Sequence, residues 1–267
     1  MSTIGIIGLG FVGGAILESF QLKDIVVEGY DKFKNGGIGT IENMYTKDYL
    51  FLCLPTLYNS TQKEYDLRPI HEICSCLQIH NFMGGVIIKS TVEPETTIFL
   101  SKKYGLKITH NPEFLSTATA FSDFHHQTHI VLGKGPNVST IELEELRDFY
   151  SLHYPTAEIS LVTSNESESM KIFVNSFYAA KIQFFNELYL LCQKNSCDYT
   201  LIKNMMLKNK WINPMHTQVP GTDGLLSYGG ACFPKDTNAL LEYMKKKNSS
   251  HAVLQAVIGE RNSMREI

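Results

Sequence analysis

Residues 3–7, Thr-Ile-Gly-Ile-Ile, form a short apolar run, and Gly8-Leu9-Gly10-Phe11-Val12-Gly13 follows without a gap. Ala15, Ile16, Leu17 and Phe20 then recur at helical spacing, and a second apolar run, Ile25-Val26-Val27, leads to Gly29-Tyr30-Asp31. Strand, GxGxxG, helix, strand and acid in that order constrain the fold more than any other feature, because together they predict a βαβ unit. Glycines at this spacing admit a pyrophosphate to the N-terminus of the helix. Asp31 lies eighteen residues past Gly13, near the roughly 20 expected of an acid that hydrogen-bonds ribose hydroxyls. Its charge would repel a 2′-phosphate, which favours NAD over NADP, although Lys32 and Lys34 stand close by.

Further strands are predicted over 49–54, 85–89, 107–109, 129–132 and 158–162. In open α/β sheets ligands lie beyond the carboxyl ends of the strands, so Thr56, Ser90, Thr91 and Glu113 point to one crevice. Each hydroxyl taken singly reads as a turn or cap residue; the shared position at strand ends is what raises them. From residue 164 the pattern turns helical. Thr163 or Ser164 suits an N-cap, and 166–194 is a long amphipathic segment without Pro or Gly. Lys171 and Asn175 are four apart, hence on one face, in a segment crowded with Phe173, Phe177, Tyr178 and Phe184. A second helix is predicted over 199–208, a Pro/Gly-punctuated loop over 213–224 and a last helix over 251–265. The expected fold is α/β: a doubly wound Rossmann-type sheet over residues 1–163, followed by a small all-helical domain over 164–267.

That second domain carries Tyr228-Gly229-Gly230-Ala231-Cys232-Phe233-Pro234-Lys235-Asp236. Two glycines permit close approach or positive φ, Pro234 suits a first helical turn, and Asp236 suits the positive end of the helix dipole. Leu240, Leu241 and Met244 continue with helical spacing. Cys232 is therefore expected just before a helix N-terminus, where the field favours the nucleophilic thiolate. A buried structural cysteine is the competing reading.

Composition excludes several classes. A net charge of -3 offers no basic footprint for nucleic acid. No apolar run approaches the roughly 18 residues of a spanning helix. The N-terminus enters a strand pattern without a basic stretch, so no signal peptide is expected. Six scattered cysteines in 267 residues argue for reduced thiols in a cytoplasmic setting rather than a disulfide framework. Cys74-Ser75-Cys76 has no second Cys/His pair at finger spacing, so no metal site is expected.

The combined set resembles the UDP-glucose 6-dehydrogenase family, within the UDP-glucose/GDP-mannose dehydrogenases. The matching stretches are Gly8 to Gly13, Leu54-Pro55-Thr56, Lys89-Ser90-Thr91-Val92 and Asn111-Pro112-Glu113-Phe114-Leu115. Glu168-Ser169-Met170-Lys171 with Asn175, Lys181-Ile182 with Asn186-Glu187, and Gly229 to Asp236 follow in the family's order. The resemblance implies a four-electron oxidation of a UDP-hexose, UDP-glucose to UDP-glucuronate foremost, with two NAD consumed. It implies Cys232 as nucleophile, Lys171 and Asn175 as the oxyanion pair, and Glu113 and Asp236 as bases, with Thr91 acting through water. Cofactor contacts fall on Gly8, Gly10, Phe11, Val12, Gly13, Asp31, Pro55, Thr56, Ser90 and Lys235. Substrate contacts fall on Phe114, Leu115, Tyr228 and Gly229, and pairing through the long central helix implies a homodimer.

The sequence departs from the family at Ser116, Thr117 and Ala118, where a basic residue, a Glu and a Gly are usual, and at Glu95, where a glycine is usual. An Arg expected for the substrate phosphates is not evident; Lys210, Trp211 and His216 are the alternatives. Family members usually continue into a second Rossmann-like domain that grips UDP, whereas these 267 residues end at the helix before it, which reads as a short form. A related NAD-dependent dehydrogenase on a different nucleotide sugar, or a non-catalytic nucleotide-binding subunit needing a partner, are the rival functions.

Overall fold

The computed structural model describes residues 2–265, and the chain divides into two compact units. The first comprises the chain up to Leu57 and Tyr65–Lys171; the second comprises Tyr58–Glu64 and the chain from Ile172 onward. The described strands are β1 (Ile4–Ile7), β2 (Val27–Tyr30), β3 (Tyr49–Leu52), β4 (Tyr58–Asn59), β5 (Glu64–Tyr65), β6 (Gly85–Ile88), β7 (Lys107–His110), β8 (His129–Lys134) and β9 (Glu158–Thr163). The described helices are α1 (Phe11–Leu22), α2 (Arg68–Ile79), α3 (Thr96–Tyr104), α4 (Ala120–His125), α5 (Thr140–His153), α6 (Ser164–Lys194), α7 (Tyr199–Leu207), α8 (Phe233–Lys246) and α9 (Ala252–Met264).

In the first unit seven strands form one sheet in the order β2-β1-β3-β6-β7-β8-β9. All neighbours are parallel except β7 and β8. Side chains alternate across the sheet because successive Cβ atoms point to opposite faces. Ile4, Ile6, Phe51 and Ile87 join Phe20, Phe124, Leu146 and Tyr150 of α1, α4 and α5 in one core. Ile7, Leu50, Leu52, Val86 and Ile88 join Ile70, Ile73, Leu77 and Leu100 of α2 and α3 in the other. With both faces covered, strands read as near-continuous apolar runs. The sheet is the doubly wound one expected from the sequence.

Two details differ from the sequence reading. The second strand starts at Val27, not Ile25. Ile25 instead closes a Schellman turn: its N–H donates to Phe20 O at 3.0 Å, Asp24 N–H donates to Gln21 O at 3.1 Å, and Asp24 takes φ 56°. Ile25 and Phe20 share the same core, so the helix stop claims the apolar residue that looked like strand. The small β4–β5 hairpin was also not foreseen; its strands are only 2 residues each. Residues 58–64 belong to the second unit, where Lys63 and Glu64 pair with Glu242 and Lys246 of α8 at 3.9 and 3.7 Å.

The second unit is otherwise helical. Phe185 and Cys192 of α6 bury against Tyr199, backed by Leu188, Tyr189, Ile202 and Met206. The long helix starts at Ser164 because Thr163 caps it: its hydroxyl accepts the Glu166 N–H, and the Glu166 carboxylate accepts the Thr163 N–H at 2.8 Å and its hydroxyl at 2.8 Å. This reciprocal pair is a capping box. Replacing Thr163 by Ala should cost on the order of 1 kcal/mol, read as a shift in chemical-denaturation midpoint at unchanged slope.

Candidate active site

The sheet order reverses direction between β1 and β3, so the crevice for a ligand lies above their carboxyl ends. The glycines there divide the work. Gly8 takes φ +91°, and a Cβ on it would lie 2.6 Å from Cys53 O. A Cβ on Gly13 would lie 1.8 Å from Gly8 O, so its absence lets α1 sit directly on the turn. Gly10 is the opposite case, since a Cβ there would meet nothing within 4 Å. Gly10 is also the N-cap of α1, and no side chain caps that helix. Open space before uncapped N–H groups is what a pyrophosphate requires. Phe11 is exposed, whereas Val12 packs into the core beneath.

Asp31 follows β2 directly and accepts N–H bonds from Leu9, Phe33 and Lys34 at 2.8, 2.9 and 2.9 Å. Burial raises its pKa, but the N–H donors of Lys34, Leu9 and Phe33 and the Lys34 charge outweigh it, so the carboxyl titrates below its usual range. Lys34 Nζ donates to Leu9 O at 2.6 Å, which places a cation at the glycine turn. These residues fit NAD: a turn that admits phosphates and an ionised acid where ribose hydroxyls are expected.

The hydroxyls at the next strand ends tie loops together. Thr56 Oγ1 donates to Thr91 O at 2.7 Å, and Ser90 Oγ donates to Leu54 O at 2.6 Å. Thr56 and Thr91 are buried, whereas Pro55, between Leu54 and Thr56 in sequence, is exposed. Beyond β7, Asn111 is a buried hub. Its Oδ1 accepts Lys89 Nζ at 2.8 Å and Tyr150 OH at 2.5 Å, and its Nδ2 donates to Val131 O at 2.8 Å. Burial pulls the Lys89 ammonium down to about 8, against the opposing effects of Cys53 and Glu113. This hub holds the strand end from which Glu113 projects. Glu113 Oε2 accepts the Leu115 N–H at 2.7 Å, and Leu115 itself packs on the core. Lys171, buried, donates from Nζ to Glu113 O and lies 3.4 Å from Glu113 Oε1. The same ammonium sits 5.1 Å from the centroid of Phe114, whose ring stacks on His129.

Within the second unit Cys232 is the N-cap of α8, exposed, with Pro234 in the first turn. Its carbonyl accepts the Asp236 N–H at 3.0 Å. Asp236 is fully buried, and its carboxylate accepts Asn175 Nδ2 at 2.6 Å and Lys235 Nζ at 2.6 Å. A spacing of four puts Cys232 and Asp236 on one side of the helix start. His216 lies tilted against Tyr178 and edge-on to Phe233, with centroids 4.7 and 5.6 Å away. The preceding loop is held from two helices. Ser227 N–H donates to Asn186 at 2.8 Å and its hydroxyl to Gln183 at 2.5 Å, while Arg261 Nε donates to Tyr228 O at 3.3 Å. Gly230 takes φ +75°, and a Cβ on Gly229 would lie 2.4 Å from the Arg265 guanidinium. The close approach at Gly229 is therefore made by an arginine of the chain itself, and Tyr228 is buried.

Sequence reasoning missed the roles of Asn111, Tyr150, Gln183, Ser227 and Arg261. Their partners lie far along the chain, and no local pattern announces them.

A glycine turn at the switch point of a doubly wound sheet, with an ionised acid beside it, defines a dinucleotide-binding protein of the Rossmann class. The chain belongs to the UDP-glucose/GDP-mannose dehydrogenase family: residues 38–152 match its NAD binding domain and residues 165–263 its central domain. UDP-glucose 6-dehydrogenase YwqF of Bacillus subtilis is 31% identical over 186 residues, 67% of this chain and 40% of that protein. UDP-glucose 6-dehydrogenase of Campylobacter jejuni is 27% identical over 237 residues, 84% of this chain and 55% of that one. The chain spans about half the length of these curated relatives. A solved UDP-glucose dehydrogenase from the hyperthermophilic archaeon Pyrobaculum islandicum shares the fold, with a TM-score of 0.85 at 23% identity over 98% of this chain and 68% of that one.

Gly10→Ala should leave stability within about 1 kcal/mol of the parent and weaken NAD binding by about tenfold or more, as the methyl fills the phosphate space. Gly13→Ala should lower stability by roughly 1–3 kcal/mol through overlap with Gly8 O. Calorimetric NAD titration beside thermal melts separates the two, and undiminished NAD binding by Gly10→Ala would place the cofactor elsewhere.

Proposed function

We propose that this chain catalyses the NAD-dependent four-electron oxidation of a UDP-hexose to its uronic acid, UDP-glucose being the first substrate to test. The observation that carries the reading is the start of α8: Cys232 at the N-cap, with Asp236 one turn on, its carboxylate fixed by Asn175 and Lys235. A thiol at a helix N-terminus is favoured as thiolate. NAD, when bound, is the hydride acceptor.

In this reading the alcohol loses its proton to a base and a hydride from carbon, giving an aldehyde. The Cys232 sulfur then adds to the aldehyde carbon, forming a C–S bond and a thiohemiacetal. Loss of a second hydride from that carbon, with the hydroxyl proton passing to a base, leaves a thioester, and water breaks the C–S bond to release the carboxylate and the thiol. The thiol is needed because an aldehyde cannot give up hydride until a nucleophile has added. Lys171 and Asn175 are the donors for the oxygen as its charge develops. Glu113 and Asp236 are the bases for alcohol and water, with Thr91 acting through a water. Lys171 is buried and already aimed at Glu113, which supports a pre-organised role.

The active form we propose is a cytoplasmic homodimer paired through α6. Phe177, Phe184 and Leu191 are exposed on that helix at intervals of seven, with Phe173 exposed one turn before, an apolar stripe suited to another helix. Among the described residues no helix is long and apolar enough to cross a membrane.

The test is NADH formation by the purified chain with UDP-glucose, UDP-N-acetyl sugars and other nucleotide sugars in parallel. Two NADH per sugar consumed is the expected stoichiometry; NAD binding without turnover of any of them overturns the catalytic reading. Cys232→Ser should cut acid formation by at least about 10³-fold, leaving the two-electron product bound. Lys171→Ala should lower kcat by about 10²–10³-fold, the usual loss of an oxyanion donor.

A further inference from the structure

Glu168 lies in the second turn of α6 with none of its surface exposed. Among the described residues no cation pairs with its carboxylate. Oε2 instead accepts the Glu95 N–H at 2.8 Å, and Oε1 accepts the Thr97 N–H at 2.7 Å. These are the first donors of α3, whose own N-cap residue, Glu95, supplies no side-chain cap and takes φ 78°. Glu168 thus caps a helix more than 70 residues away in sequence. Burying an unpaired anion is expensive, and charge-assisted bonds at a positive helix end offset part of that cost.

What the cap holds is the loop between β6 and α3. Its near end is tied by Ser90 to Leu54 O and by Thr56 to Thr91 O. Its far end is tied by Glu168. Three residues after Glu168, on the same side of α6, stands Lys171 with its ammonium on Glu113.

We propose that Glu168 is a positioning residue that fixes, through the Glu95 and Thr97 N–H groups, both the loop carrying Ser90 and Thr91 and the turn of α6 from which Lys171 projects. The proposal rests on the dehydrogenase reading for its kinetic consequence, though not for the clamp itself. Burial pushes the Glu168 carboxyl up to about 7, with the Thr97 side chain and the Thr97 and Glu95 N–H groups opposing and the Glu95 charge adding to the rise. On the elements that meet it, the titratable groups nearest in sequence are Glu93 and Glu95 on the loop, Lys102, Lys103 and Tyr104 on α3, Glu166 and Lys171 on its own helix, and Lys107 and His110 on β7; burial keeps His110 neutral at a pKa of about 3. As pH falls through about 7 the carboxyl gains a proton, and the two N–H bonds lose their charge assistance and weaken. Activity carried by the clamped loop should fall with it.

The experiment pairs the pH dependence of kcat, between about pH 5.5 and 8.5, with hydrogen exchange of the 90–104 segment, in the parent, Glu95→Gln and Glu168→Gln. Glu95 is exposed, and its substitution by Gln removes the like charge, so the acid limb of kcat should move to lower pH. Glu168→Gln should lose that limb, lower kcat about fivefold or more with KM for the sugar within about twofold, and exchange the Glu95 and Thr97 amides faster. An acid limb unmoved by Glu95→Gln, or equal exchange of those amides in parent and Glu168→Gln, overturns the proposal. Should Glu168→Gln fail to fold, the Glu95→Gln shift decides. If the chain turns over no nucleotide sugar, the dehydrogenase reading fails, and exchange alone still decides the clamp.

Discussion

The contact between Gly13 and the Gly8 carbonyl is the constraint on which the cofactor end of the first unit depends. A Cβ on Gly13 would overlap that oxygen, so only glycine lets α1 begin directly on the turn after β1. That placement sets where the helix N-terminus points, and an uncapped N-terminus is useful only if it points into open space. Gly10 provides the opening, and Leu9 N–H, bound by Asp31, anchors the acid of β2 to the same turn. Turn, helix start and acid are therefore one rigid piece, assembled by backbone contacts rather than by flexible side chains.

Deeper in the unit the same economy governs buried charge. Lys89 and Glu168 are both out of water, yet among the described residues neither pairs with an opposite charge in a close ion pair. Lys89 is held by the Asn111 amide and Glu168 by two backbone N–H groups. Such partners fix direction more tightly than a mobile ion pair, and they lower part of the desolvation cost without cancelling it. The residual cost is visible as titration shifted toward neutrality for both groups, down for the lysine and up for the carboxyl. Both sit one step behind residues proposed to take part in the chemistry, Lys89 behind Glu113 and Glu168 behind Lys171. Energy spent on fixed orientation in these places is understandable if a reacting oxygen must meet a pre-set donor.

How much of this was legible in the sequence depends on the range of the physics. The β1–α1–β2 unit was read correctly because glycine spacing and apolar periodicity act within about 30 residues. The strand ends bearing Thr56, Ser90 and Glu113 were likewise visible. What the pattern could not give was what their hydroxyls do: Thr56 and Ser90 bond to carbonyls 35 and 36 residues away. Ile25 was misjudged because an apolar residue after a helix serves a Schellman turn as well as a strand. Gly229 and Gly230 were expected to serve approach or positive φ, and each turned out to have a different one of the two reasons.

Glu95 shows how a departure in sequence becomes intelligible only through structure. The resemblance implied a glycine there, and the backbone indeed adopts φ 78°, a region that glycine enters at little cost and other residues do not. Holding a glutamate in that conformation requires its surroundings to determine the backbone strongly. The Glu168 carboxylate, bonded to the N–H of Glu95 itself and to that of Thr97, is such a determinant. The strained residue and the buried anion thus explain each other: the anion is stabilised by N–H groups that converge only when residue 95 is left-handed, and residue 95 stays left-handed because the anion binds its N–H. A chain that keeps this arrangement without the usual glycine has kept the geometry of the loop ahead of the ease of making it.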